Sequence, residues 1–262
     1  MLGAIVGDIA GSFYESCGLK SYEPEKINLF MAMSRFTDDT VMTLAVARWL
    51  TESKDKGAAD LTRAMQELGR KYPQAGYGPA FARWLASSEP RPYGSWGNGA
   101  AMRVSPVGLY AGSMDEALRL AEVSAAVSHD HPEALAAARA VAAAVYMARH
   151  GEGNDAIRAF VENQAGYDLS RTIEEIRPGY RWDVSCRGSV PEAITAFLCA
   201  DGVEQAVRLA ISLGGDADTQ AAIAAGIAAA RWPVPEWMER ECRARLTPEL
   251  AAIMDEFERT AG

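Results

Sequence analysis

Apolar residues recur at i, i+3, i+4 and i+7 in alanine-rich windows that run almost from one end of the chain to the other. They cover residues 2–14, 38–52, 58–71, 79–87, 113–127, 131–150, 153–164, 190–200, 202–213, 217–231 and 247–260. Such spacing gathers side chains on one face of an α-helix, whereas a half-buried strand alternates with a period of two. No window of comparable length alternates. The chain is therefore predicted to be all-α, and with no fixed repeat period it is not a solenoid. Three stretches break the pattern, Lys20 to Phe36, Ser88 to Gly99 and Arg177 to Ser189, each with Pro, Gly or aromatic residues. They are expected to be loops, where functional residues concentrate. No linker rich in Gly, Ser or Pro divides the chain, which predicts one compact domain over residues 1–262.

Composition removes several function classes. With 49% hydrophobic residues the chain can bury a core without covalent staples, and Cys17, Cys186, Cys199 and Cys242 show no C-x-x-C spacing. The opening MLGAIVGDIAGSFYE has no basic segment and carries Asp8 inside its apolar run, unlike an export signal. The expectation is a cytoplasmic protein with reduced thiols. The longest uncharged apolar stretch, Ala221 to Ala230, is far short of the roughly 20 residues that span a bilayer. A net charge of −9 disfavours generic nucleic-acid binding but leaves room for a local pocket for one anionic ligand.

Two clusters of Thr and Asp carry the chemistry. Thr37-Asp38-Asp39-Thr40 leads directly into VMTLAVARWL, and Gly214-Gly215-Asp216-Ala217-Asp218-Thr219 leads into QAAIAAGIAAARW. Helix capping explains either cluster alone, because these side chains accept hydrogen bonds from free N–H groups. The second helix, however, is too apolar for a surface, so its carboxylates are expected to face inward, where unpaired charge is costly. Neither cluster holds Lys, Arg, Cys or His. That leaves an oxygen-only ligand set, Thr37, Asp38, Asp39, Asp216, Asp218 and Thr219, which selects Mg²⁺, Mn²⁺ or Ca²⁺ over zinc or copper. Four carboxylates suit two divalent ions better than one.

Three further features accompany the clusters. Asp8 and Glu15 lie seven residues apart on one face of the opening helix, beside a stripe of Gly3, Gly7 and Gly11. One reading is a close helix contact through the glycines with the acids in solvent; the other brings Glu15 to the metals. The run Gly94-Ser95-Trp96-Gly97-Asn98-Gly99 is neither a Walker A loop nor a dinucleotide fingerprint, but its glycines admit close approach of a phosphate. His129 and His131 flank a helix start at Pro132, either as helix-entry residues or as an anion contact, since ligands for a two-histidine zinc site are absent nearby. No G-x-S-x-G elbow or recognisable Cys–His signature supports serine or cysteine hydrolase chemistry.

In chain order, GDIAGSFYE, FTDDTVMT, GSWGNGAAMR, SHDHPEA and GGDADT make the chain resemble the ADP-ribosylglycohydrolases over its whole length. The resemblance implies a compact all-α bundle of crossing helices, with a central cleft holding two Mg²⁺ or Mn²⁺ ions. It places Thr37, Asp38, Asp39, Asp216, Asp218 and Thr219 at metal-ligand positions and Glu15 at the metal-proximal glutamate. It sets Ser95, Gly97, Asn98 and Gly99 on a diphosphate and ribose loop, Trp96 against adenine and His129 at a phosphate. The implied reaction is hydrolysis of the bond between ADP-ribose and a protein or small-molecule acceptor, releasing ADP-ribose. Glu15 and Asp38 are the expected catalytic carboxylates, with Glu15 either taking the proton of water or assisting the leaving group. Two alternatives stand beside it: hydrolysis of free O-acylated or phosphorylated ADP-ribose, and a silent ADP-ribose-binding homologue. The segment RPGYRWDVSCRGSV resembles that of a small bacterial subgroup and leaves the acceptor open.

Overall fold

The computed structural model describes residues 1–15 and 17–261. Fifteen α-helices occur among them: α1 (Leu2–Glu15), α2 (Asp38–Glu52), α3 (Ala58–Lys71), α4 (Pro79–Ala86), α5 (Gly99–Met102), α6 (Ser105–Tyr110), α7 (Met114–Ala126), α8 (Pro132–Arg149), α9 (Asn154–Ala165), α10 (Ile173–Ile176), α11 (Cys186–Leu198), α12 (Val203–Ser212), α13 (Ala217–Arg231), α14 (Glu236–Arg243) and α15 (Pro248–Ala261). The only extended pairing among the described residues is an isolated bridge between Gly97 and Ser185. The all-α expectation holds.

Helix α13 is the axis of the molecule. Every residue from Ala217 to Ile227 is buried, as an apolar circumference requires, and α1, α8, α11 and α12 surround it. Its contact with α1 is antiparallel and unusually close, because Gly3, Gly7 and Gly11 face Ala225, Ala221 and Ala217 in turn. A side chain at any of the three would strike backbone of α13. The close approach carries the C-terminal end of α1, with Glu15, to the N-terminal end of α13, with Asp216 and Asp218.

Helix starts are marked where capping chemistry predicts them. Thr37 caps α2 by accepting from Asp39 N, and His131 caps α8 through Nδ1 at Glu133 N with Pro132 in the first turn. Four helices escape the periodicity reading: α5, α6 and α10 are too short to show a period, and the charged α14 buries only Met238 and Cys242. The stretch from Arg177 to Ser189 is not wholly a loop, since α11 begins at Cys186. Arg177, Tyr180, Cys186 and Ser189 of this stretch are buried. No described helix is long and apolar enough to cross a membrane.

Candidate active site

The first turns of α2 and α13 meet beside the end of α1. Asp8, wholly buried, accepts from the N–H groups of Thr37 (2.9 Å) and Thr40 (3.1 Å) and from both their hydroxyls, that of Thr37 at 2.7 Å. The acid on α1 thus ties down the start of α2. Thr219 Oγ1 donates to Asp39 Oδ2 at 3.1 Å, which joins the α13 start to the α2 start. Asn98 Nδ2 donates to Asp216 Oδ2 at 2.6 Å, which joins the glycine loop to both.

Oxygens of Asp8, Asp39 and Asp218 lie within 4.8 Å of one another, and so do those of Glu15, Asp216 and Asp218. Asp218 belongs to both groups. Among the described residues none of these acids, nor Asp38, forms an ion pair, and Asp39 Oδ1 is buried with no hydrogen-bond partner. Burial and mutual repulsion push their carboxyls upward: Asp39 and Asp218 well above the usual range, Asp38 to about 7. Asp8, Asp216 and Glu15 shift the same way, burial first in each case. Unpaired buried carboxylates at this density fit hard cations of the oxygen-binding class.

Asp38, Asp39, Asp216 and Asp218 open into a cleft of about 380 Å³, large enough for a nucleotide-sized ligand. Its far wall is the glycine loop, held by Asn98 N donating to Val184 O (2.8 Å) and Cys186 N donating to Trp96 O (3.0 Å). Gly94 adopts φ +67° there and its N–H donates to Asp130 Oδ1 at 2.6 Å. His129, buried, also lines the cleft, with Phe81 and Tyr93 packed against its ring.

The sequence profile of the ADP-ribosylglycohydrolase family matches residues 1–261. The chain belongs to that family. The family's human ADP-ribosylhydrolase ARH3 is 26% identical to it over 92% of this chain and 87% of that protein. An uncharacterized protein of Archaeoglobus fulgidus is 31% identical over 61% of this chain and 58% of its own. A solved ADP-ribosylglycohydrolase-related protein complex superposes with a TM-score of 0.70 at 25% identity, covering 100% of this chain and 97% of that one.

Within this ADP-ribosylglycohydrolase fold the sequence-predicted residues converge unevenly. Asp38, Asp39, Asp216, Asp218, Thr219, Ser95, Gly97, Asn98, Gly99 and His129 all line the cleft. Thr37 stands behind it, between Asp8 and Asp39 N, and Glu15 sits at the open edge of the carboxylate cluster. Asp38 belongs to neither three-oxygen group. His131 caps α8. Trp96 is half exposed and does not line the cleft; Trp182, 56% exposed, does. The spacing of Asp8 and Glu15 flagged Asp8 without placing it against Asp39 and Asp218. Phe81 carried no signal in the sequence, and Tyr93, Trp182 and Arg103 lay in the flagged loops and the glycine motif without being singled out.

Proposed function

We propose that this chain hydrolyses the glycosidic bond between ADP-ribose and an acceptor, releasing ADP-ribose, with two hard divalent cations, Mg²⁺ or Mn²⁺, in the carboxylate cluster. The observation that carries the reading is the pair of oxygen groups sharing Asp218, without a basic partner, beside a glycine loop and a buried histidine in one cleft. Family membership supports the reaction class, and the human relative is an ADP-ribosylhydrolase by name.

Asp39, Asp216, Asp218, Thr37 and Thr219 are the residues that would hold the ions, with Asp38 beside them. When bound, such ions offset carboxylate charge, orient the sugar's oxygens and acidify water. The Thr37 hydroxyl donates its hydrogen bond to Asp8 Oδ1 and accepts one from Asp39 N, so that one lone pair of Oγ1 remains for the site. Glu15, raised in pKa by burial and by Asp216, holds a proton more readily than an ordinary carboxylate and so suits proton transfer. It takes a proton from the attacking water as the water oxygen bonds the anomeric carbon. The bond to the acceptor breaks, the electron pair leaves with the acceptor atom, and Glu15 returns the proton there. The buried aspartates favour the positive charge that develops on the ribose ring. Ser95, Gly97, Asn98, Gly99 and His129 hold the diphosphate and inner ribose.

A panel of defined ADP-ribosylated side chains, O-acyl-ADP-ribose and phosphorylated ADP-ribose, assayed for free ADP-ribose with Mg²⁺ or Mn²⁺, tests the proposal. Release from at least one conjugate, lost on chelation and in Asp38→Ala and Asp218→Ala, is expected. Full turnover by protein shown by elemental analysis to be metal-free would refute the cation assignment.

A further inference from the structure

Arg103 is wholly buried, yet no carboxylate is among its partners. Its guanidinium donates to the carbonyls of Gly99 (3.0 Å) and Ser124 (2.6 Å) and to the Ser128 hydroxyl (3.0 Å). A guanidinium offers no lone pair, so Ser128 Oγ accepts in that contact. The same hydroxyl lies 2.8 Å from His129 Nδ1, and Ser128 is fully buried, out of reach of solvent. Among the described residues Nδ1 is the one acceptor for its proton. A buried hydroxyl that fails to donate is costly, so Ser128 donates to Nδ1 and the ring proton sits on Nε2.

Nε2 is aimed at the glycine loop: a Cβ added to Gly99 would stand 3.0 Å from it, and one added to Gly97 3.9 Å. We propose that Ser128, backed by Arg103, is a positioning residue that locks His129 in the Nε2–H tautomer, so that the ring gives the cleft a hydrogen-bond donor for a ligand oxygen and acts neither as a base nor as a metal ligand. The donor role rests on the reading of the cleft as an ADP-ribose site; the tautomer does not. Burial and the Arg103 charge hold the imidazole well below its usual range, which keeps it neutral. An imidazolium would carry a proton on Nδ1 and could not accept from Ser128, so charge and relay agree.

The chain has three histidines, and His129→Gln identifies the His129 signals by their loss. Long-range ¹H–¹⁵N spectra of histidine-labelled protein should show His129 with bare Nδ1 and protonated Nε2 from about pH 6 to 8, a range around the ordinary histidine pKa. Ser128→Ala should move the ring toward the other tautomer and weaken ADP-ribose binding roughly 2- to 15-fold, the worth of one hydrogen bond. In the His129→Gln background the same substitution should cost nothing further. A protonated Nδ1 in the wild-type protein overturns the proposal, as does Ser128→Ala with unchanged tautomer, or with unchanged affinity. Wild-type protein that shows the Nε2–H spectrum but binds no ADP-ribose refutes the donor role and the reading of the cleft, while the tautomer stands.

Discussion

Gly11→Ala is the smallest change that tests whether the α1–α13 contact sets the geometry of the site. A Cβ at Gly11 would stand 2.5 Å from both Ala217 O and Asp218 Cα, against an ordinary contact of about 3.4 Å, so the helices must part by about 0.9 Å. Both obstacles are backbone, so no rotamer change relieves the clash. Overpacking of this kind costs about 1–3 kcal/mol, and alanine returns about 0.8–1 kcal/mol of helix propensity. The net loss of about 0–2 kcal/mol lowers Tm by no more than about 8 °C in a chain of this size. Catalysis is more sensitive, because a misplacement near 1 Å costs about 10²-fold in rate, and here Asp218 itself is displaced. A drop of about two decades in kcat/KM for ADP-ribose release, with a modest calorimetric shift, is expected. Gly179→Ala, whose Cβ would meet nothing within 4 Å, is the control and should change neither. If Gly11→Ala kept wild-type kcat/KM, the contact would have slack and the reasoning from helix spacing to site geometry would fail.

Trp96→Ala should weaken ADP-ribose binding by about 5- to 150-fold if Trp96 stacks on adenine, the effect of about 1–3 kcal/mol of base stacking. Trp182→Ala, titrated alongside by calorimetry, should then cost much less; the reverse ranking would move the adenine to the aromatic that lines the cleft. Metal-free protein should be more stable at pH 5 than at pH 8. Carboxyls raised in the fold, Asp38 to about 7, bind more protons folded than unfolded, so their contribution to stability is full below about pH 4 and is lost as pH rises through about 7. Urea unfolding at pH 5 and pH 8 reads this, and a gap that persists unchanged in excess Mn²⁺ would argue against ions in the cluster. Glu15→Gln should retain bound metal and lose turnover; unimpaired turnover by a fully loaded variant would remove Glu15 from the chemistry.

Long helices were legible because their period is written over many turns. The boundaries of α2, α3 and α13 coincide with the periodic windows. Helix α11 was read four residues late, because Cys186-Arg187-Gly188-Ser189 mixes polar and small residues and becomes helical only where Ser185 accepts from Gly188 N. At the site, clustered carboxylates were visible as residue types, but their meeting depended on packing. The two readings of α1 combine in one arrangement: the glycine stripe makes the close contact, Asp8 is buried and Glu15 stands at the edge of the carboxylate cluster. Arg103 closed a motif in the sequence with no sign that it would be buried without an acid. Trp182 could not be ranked against Trp96, because side-chain direction in a loop depends on its anchors, here the bridge between Gly97 and Ser185.

The placement of the acids also bears on how many ions the proposed site would take. Asp38 and Asp39 stand in the first turn of α2, Asp216 and Asp218 at the start of α13, and Asp8 against N–H groups of α2. Each helix start contributes about half a positive charge, roughly one in total. Six carboxylates, counting Glu15, therefore leave about five negative charges unmet. One divalent ion would still leave about three in a region where Asp8, Asp39, Asp216 and Asp218 are all buried. Two leave about one, and Glu15 at the open edge is the group that solvent can accommodate. Burial is the first cause of the upward displacement of every carboxyl in the cluster, and repulsion within the cluster adds to it at Glu15, Asp38, Asp39 and Asp218. On the proposed reading, metal affinity and acid stability would both follow from burying these carboxylates together, which the glycine stripe permits by letting α1 close on α13.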